Sequence, residues 1–118
     1  MAGKASLTVY HNARCSKSRC ALEFLQEKKQ VFEVVEYMKN PLSVEEIKAL
    51  VALLGIHPEA LLRKGEIVFK ENFAGKKLTP ALCYKAMAQY PELIERPIVV
   101  REGKAVIGRP TERILEIL

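Results

Sequence analysis

No stretch of the 118-residue chain approaches the roughly 18 consecutive apolar residues that a bilayer-spanning helix requires. The opening segment, MAGKASLTVY, has a lysine but no long apolar run followed by a small-residue cleavage pattern. A secretory signal is therefore not expected, and the cytoplasm is the expected location. Cysteine is scarce. Cys15, Cys20 and Cys83 are odd in number and irregular in spacing, which excludes a disulfide framework and leaves free thiols as the expectation. His11 and His57 do not combine with them into zinc-ligand spacing, so no bound metal or cofactor is expected. No basic tract is present either. Lys and Arg outnumber Asp and Glu by 19 to 14, yet they pair with glutamates along helices (Glu45, Glu46, Lys48) or stand singly in loops. That pattern suits a solvated surface rather than nucleic acid, and the net +5 also suits a cleft for a small oxyanion. Repeats and low-complexity tracts are missing. The length indicates one domain, 1–118, and 49% hydrophobic residues suffice for its core.

What is present reads as an α/β chain. Leu7–Tyr10 is a short buried strand. A helix over about Lys17–Lys28 follows, with Ala21, Leu22 and Leu25 on one face. Phe32–Tyr37 (FEVVEY) is rich in β-branched and aromatic residues, a strand ended by Asn40-Pro41. Ser43 with Glu46 forms a capping box for a helix over Val44–Leu54 that stops at Gly55. Pro58 opens a short helical piece, and a less regular segment runs to Lys77. Thr79-Pro80 caps a helix to Tyr90. Two short strands, Ile98–Val100 and Ala105–Ile107, flank a Glu102-Gly103 turn as a hairpin. A last helix covers Thr111–Leu118. The order β-α-β, helices, β-β-α implies a right-handed first crossover and parallel first strands, with the hairpin adding antiparallel ones. The expected fold is a four-stranded mixed sheet with helices on its faces. This is the thioredoxin-like layout, with a helical insertion over about 40–95.

The stretch YHNARCSKSRCALEFL places chemistry at a strand-to-helix junction. An ordinary thiol, with a pKa of about 8.5, is a poor nucleophile at neutral pH, and a helix N-terminus or a nearby cation lowers that value. Cys15 stands just before the first helix, where the amides of Lys17, Ser18 and Arg19 are expected to point at its sulfur. His11, Arg14, Lys17 and Arg19 add positive or hydrogen-bonding character. The same amides suit a tetrahedral oxyanion. An activated nucleophile explains these polar neighbours better than a small filler residue does.

A dithiol motif of the C-x-x-C type would put its second thiol at residue 18, which is serine. Cys20 lies five residues on, about 140° round the helix, and is expected in the packed face near Ala21 and Phe24. Cys83 is expected in the core of a later helix. A one-thiol system with an external reductant follows.

YHNARCSKSR resembles the active-site segment of the ArsC family, the glutaredoxin-dependent arsenate reductases. YMKNP, LLRK, ERPIVV and IGRP resemble further segments of that family in the same order, and together they span nearly the whole chain. Ala13 stands where the family often has proline, so a less rigid loop entry is expected; the sequence stops at Leu118, short of the tail of the best-known arsenate reductases, and is expected to resemble the short ArsC-like branch. The resemblance implies that Cys15 attacks arsenate and that Arg63, Arg96 and Arg109 bind the oxyanion. It implies that His11 and Ser18 stabilise the thiolate, that Asn12 shapes the loop, and that Pro97 is the cis-proline beside the cysteine. Each of these arginines also stands at a segment edge, and guanidinium forks match a tetrahedral oxyanion. The implied partners are arsenate or another small oxyanion, glutathione as co-substrate and glutaredoxin, with no nucleic acid and no membrane.

Two other readings stay open. One is a glutathione-linked thiol oxidoreductase with a different substrate. The other is an Spx-like regulator that binds RNA polymerase. Spx-like chains share the fold and the RPI strand, but typically carry C-x-x-C and lack the arginine of the GRP motif. Here Ser18 and Arg109 favour the reductase. Cys20, where a polar residue is common, leaves a Cys15–Cys20 disulfide open.

Overall fold

A computed structural model describes residues 7–118; the first six residues of the segment read for a signal lie outside it. The chain divides into two compact units, one running to Asn40 and resuming over Arg96–Leu118, the other Pro41–Glu95.

The first unit holds β1 (Leu7–His11), α1 (Ser16–Glu27), β2 (Phe32–Glu36), β3 (Ile98–Arg101), β4 (Lys104–Ile107) and a 3-10 helix over Thr111–Ile117. The sheet order is β2-β1-β3-β4. β1 runs parallel to β2, with Val9 opposite Val34, and antiparallel to β3, with Val9 also opposite Val99. β3 and β4 form the hairpin, and Glu102 (φ 45°) and Gly103 (φ 80°) supply its two left-handed turn positions. Strand alternation sends Leu7 and Val9 into one core with Ala21 and Leu25 of α1, Val99, Val106, Ile114 and Ile117. Burying each larger aliphatic side chain there stabilises the unit by about 1.5–3 kcal/mol.

The chain ends in a 3-10 helix, where the sequence suggested an α-helix. Gly108 approaches the Pro97 ring closely: a Cβ there would lie 3.2 Å from Pro97 Cγ and 3.4 Å from Ile114 Cγ1. The Gly108 N–H also donates to the Pro97 carbonyl at 2.9 Å. That is the physical content of glycine in IGRP.

The second unit holds α2 (Val44–Leu54), a 3-10 turn (Pro58–Leu61), α3 (Ile67–Asn72), α4 (Pro80–Gln89) and a 3-10 turn at Pro91–Leu93. The Ser43–Glu46 capping box, the left-handed Gly55 stop and the Thr79 cap are all present. α3 falls where an irregular segment was expected. Its six residues are too few for a clear 3.6-residue pattern, and the buried Phe69 on it meets Phe73 in a tilted ring contact at 5.9 Å. Leu62 and Ile94 form an isolated antiparallel bridge, flanked by Arg63 N–H to the Leu93 carbonyl (2.7 Å) and Glu95 N–H to the Leu61 carbonyl (2.9 Å). Among the described residues no helix is long and apolar enough to cross a membrane, and no cluster of His, Cys, Asp and Glu could hold a metal ion.

Candidate active site

The loop between β1 and α1 is built by its own side chains. Asn12 Oδ1 accepts the Arg14 N–H at 3.0 Å, and the Asn12 carbonyl accepts the Cys15 N–H at 3.0 Å. This is an Asx turn closed by a backbone turn, and it delivers Cys15 to the N-cap of α1. Cys15 has extended backbone angles and no side-chain capping bond. Its sulfur faces the free amides of the helix start instead.

The Lys17 and Ser18 N–H groups face Cys15 Sγ and favour its thiolate, without forming a capping bond. The Arg19 N–H, expected at the sulfur, is instead spent on the Cys15 carbonyl at 3.1 Å, as the first intrahelical bond. Arg109 Nη2 lies 3.6 Å from Sγ, and the Arg96 guanidinium donates to the same sulfur. Arg109 Nε also donates to the Arg96 carbonyl at 2.8 Å, which ties the two arginine segments together. Partial burial works against the thiolate. The Arg96 hydrogen bond, the Ser18 and Lys17 amides and the Arg96 charge outweigh it and bring the thiol down to about 7. Arg96 is joined to Pro97 by a cis peptide, as the resemblance implied, and Arg109–Pro110 is cis as well.

The first turn of α1 carries no acidic residue. Lys17 and Arg19 stand there instead, against the helix dipole. That arrangement disfavours the isolated helix and favours an anion beside its N-terminus. Arg19 Nη1 reaches back to the Ala13 carbonyl at 2.9 Å and helps hold the loop.

His11 and Ser18 are 6% and 0% exposed. Ser18 Oγ accepts the Asn12 N–H at 3.0 Å and lies 2.7 Å from His11 Nδ1. Burial pushes the His11 pKa down, so the imidazole is neutral at pH 7. His11 therefore meets the loop as a neutral ring beside the buried Ser18 Oγ, not as a cation. Cys20 corrects an expectation. It is exposed, not packed, because the buried line of α1 is Ser18, Ala21 and Leu25 and Cys20 sits about 160° from Ser18 on the wheel. From Cys15 it is five residues away, about 8–9 Å between Cα atoms on helical geometry, and a disulfide needs under about 7 Å. Cys83 is buried in α4, and burial pushes its thiol up.

Arg63 lies in the second unit. Its Nη1 donates to Glu95 Oε1 at 2.7 Å and its Nε to Glu66 Oε2 at 3.2 Å. Glu66, three residues on, could have been suspected from spacing. Glu95 had no local signal.

The ArsC family model matches residues 10–117. The chain is 44% identical over 112 residues to the uncharacterised YfgD protein of Escherichia coli (strain K12), covering 93% of this chain and 94% of that one. It is 38% identical over 114 residues to an arsenate reductase of Neisseria meningitidis serogroup A, covering 95% and 97%. An arsenate reductase from Vibrio cholerae superposes with a TM-score of 0.92 at 42% identity, covering 98% of this chain and 100% of that one. The four-stranded mixed sheet is thioredoxin-like, and the chain belongs to the ArsC family.

Proposed function

We propose that the chain is an arsenate reductase-type thiol oxidoreductase working from a single thiol. The observation that carries this reading is the environment of Cys15 Sγ: two helix-start amides, Arg96 and Arg109 on one sulfur, with the thiol lowered to about 7. Groups that stabilise a thiolate there also stabilise an oxyanion bonded to that sulfur.

Arsenate docks against Arg96, Arg109 and the α1 N-terminus. The Cys15 thiolate attacks arsenic, a sulfur–arsenic bond forms, and one arsenate oxygen leaves as water after protonation. Reduction to arsenite needs two electrons, and two thiols supply them. Cys15 is one and glutathione the other. Glutathione attacks the adduct, a Cys15–glutathione disulfide forms, the sulfur–arsenic bond breaks with its electron pair going to arsenic, and arsenite departs. Glutaredoxin with a further glutathione returns Cys15 to the thiol. Arg63, held by Glu66 and Glu95, would have to exchange those partners to serve as a third oxyanion ligand, so the reading rests on Arg96 and Arg109.

The test is arsenate-dependent NADPH consumption with glutathione, glutaredoxin and glutathione reductase supplied. Turnover that Cys15→Ser abolishes supports the proposal. No turnover with arsenate, but reduction of glutathione mixed disulfides, moves the chain to the orphan oxidoreductase reading. A regulator that binds RNA polymerase would show neither, and Arg109 on the sulfur argues against it.

A further inference from the structure

The single-thiol chemistry above leaves a question of place: where the external thiol binds. A cleft of about 350 Å³ opens beside the Cys15 loop, with His11, Asn12 and Arg14 on one side and Glu36, Met38 and Lys39 from the end of β2 on the other. All of these belong to the first unit.

Its inner wall carries two largely buried polar residues, His11 and Asn12. Ser18 Oγ accepts from the Asn12 amide, so its own proton goes to His11 Nδ1. Nδ1 is then an acceptor, and the ring proton of a neutral imidazole sits on Nε2. Asn12 spends Oδ1 on the Arg14 amide, which identifies its remaining group as the Nδ2 donor. Neither His11 Nε2 nor Asn12 Nδ2 has an acceptor among the described residues. Both residues are more than nine-tenths buried, at 6% and 7% exposure. Neither nitrogen is among the fully buried atoms without a partner, so both meet solvent in the cleft and are available to a ligand acceptor.

The rim is charged in a particular pattern. The Arg14 side chain is exposed and has no carboxylate partner among the described residues. Lys39 is 3.4 Å from Glu36, with side chains 74% and 38% exposed, a pair too solvated to hold either group firmly. The cleft thus offers two cations, one carboxylate, two inward donors and a half-exposed Met38. A ligand that complements it carries two carboxylates, one ammonium and peptide carbonyls. Glutathione has that set. An extended tripeptide spans about 10 Å, which puts a central thiol about 5 Å from either end, and Cys15 is one Cα step of about 3.8 Å beyond Arg14.

We propose that this cleft between the Cys15 loop and the end of β2 is the binding site for the reducing tripeptide thiol, with Arg14 and Lys39 taking its carboxylates. The proposal rests on the single-thiol reading, but its test does not need turnover. S-methylglutathione cannot react, and its binding can be mapped by NMR on the wild-type chain. The expected result is shifts confined to residues 11–14 and 36–39, with affinity falling about tenfold in Lys39→Glu. In turnover the same variant should lower the ratio of glutathione-supported to 2-mercaptoethanol-supported kcat/KM about tenfold, because mercaptoethanol has no carboxylate. Shifts that map elsewhere, or an unchanged ratio, overturn the proposal while arsenate reduction stands. Shifts at the cleft in a chain that never turns over arsenate uphold the site and reject the arsenate reading instead.

Discussion

Arg96→Met isolates the strongest favourable influence on the Cys15 thiolate. Among the groups that lower the thiol to about 7, the Arg96 hydrogen bond comes first, and its charge adds to it. A hydrogen bond to a charged group is worth about 1.5–3 kcal/mol, and one pKa unit about 1.4 kcal/mol. Loss of the guanidinium should therefore raise the thiol by about one to two units, to about 8–9. At pH 7 the thiolate fraction would fall from about a half to between a tenth and a hundredth. Iodoacetamide alkylation should slow about five- to fiftyfold. The thiolate that remains is more basic and somewhat more nucleophilic, with a Brønsted slope of about 0.4–0.5 for thiol exchange, so the lower end is expected. Near pH 10 both proteins are fully ionised, and the variant should match or exceed the wild type. Alkylation rate against pH, read by mass spectrometry on folded protein, gives both limbs. Superimposed profiles, or a wild-type midpoint near the ordinary 8.5, would refute the argument that Arg96 activates Cys15.

Cys20→Ser should leave turnover and the Cys15 alkylation profile within about twofold, since an exposed thiol 8–9 Å away cannot resolve the adduct; loss of turnover would reinstate the disulfide. Stability should rise with pH from about 6 to about 9. The Cys15 pKa is lower folded than unfolded, so its contribution, at most about 2 kcal/mol, is complete above about 8.5 and is lost as pH falls through about 7. The His11 pKa is also lowered, so its contribution fades as pH drops below the unfolded value of about 6.5. Urea titrations of wild type and Cys15→Ser should diverge above pH 7. Arg63→Ala should raise the KM for arsenate much less than Arg109→Ala does. A double-mutant cycle with Glu95→Gln should return a coupling of about 1 kcal/mol in stability, because the pair is bound at 2.7 Å within the second unit. Gly108→Ala should lower stability by about 1–2 kcal/mol by crowding Pro97 and Ile114, measured as a drop in Tm.

Much of this architecture is legible residue by residue, because its signals are local. Ser43 and Glu46 announce α2, Thr79-Pro80 announces α4, and Glu102-Gly103 announces the hairpin. The N-terminal position of Cys15 on α1 follows from a strand running into a polar loop and then an apolar periodicity. Cys20 was misread because a residue next to Ala21 in sequence is about 100° away on the helix, and only the observed line of Ser18, Ala21 and Leu25 sets the buried face. α3 was missed because six residues cannot display a helical period. The partners of Arg63 and the arrival of Arg96 and Arg109 at one sulfur depend on contacts across 32 and 94 residues. Local patterns carry no record of such distances; the family motifs indicated the arginines at Cys15, and nothing indicated Glu95. His11 stands at the start of the Cys15 loop as a buried ring against Ser18, not as a positive group at the sulfur. Its lowered pKa follows from burial and its contact with Ser18 from the fold of the loop, neither of which the strand pattern reveals.

The central claim is that Cys15 is the nucleophile of an arsenate-dependent, glutathione-resolved reaction. It is tested most directly by quenching a single turnover of arsenate, glutathione and protein, without glutaredoxin, and weighing the intact chain. The account predicts one added glutathionyl group, mapped to Cys15, that forms only when arsenate and glutathione are both present and in step with arsenite release. A chain that stays unmodified, or that acquires the group on Cys20 or Cys83, or on Cys15 without arsenate, would contradict it.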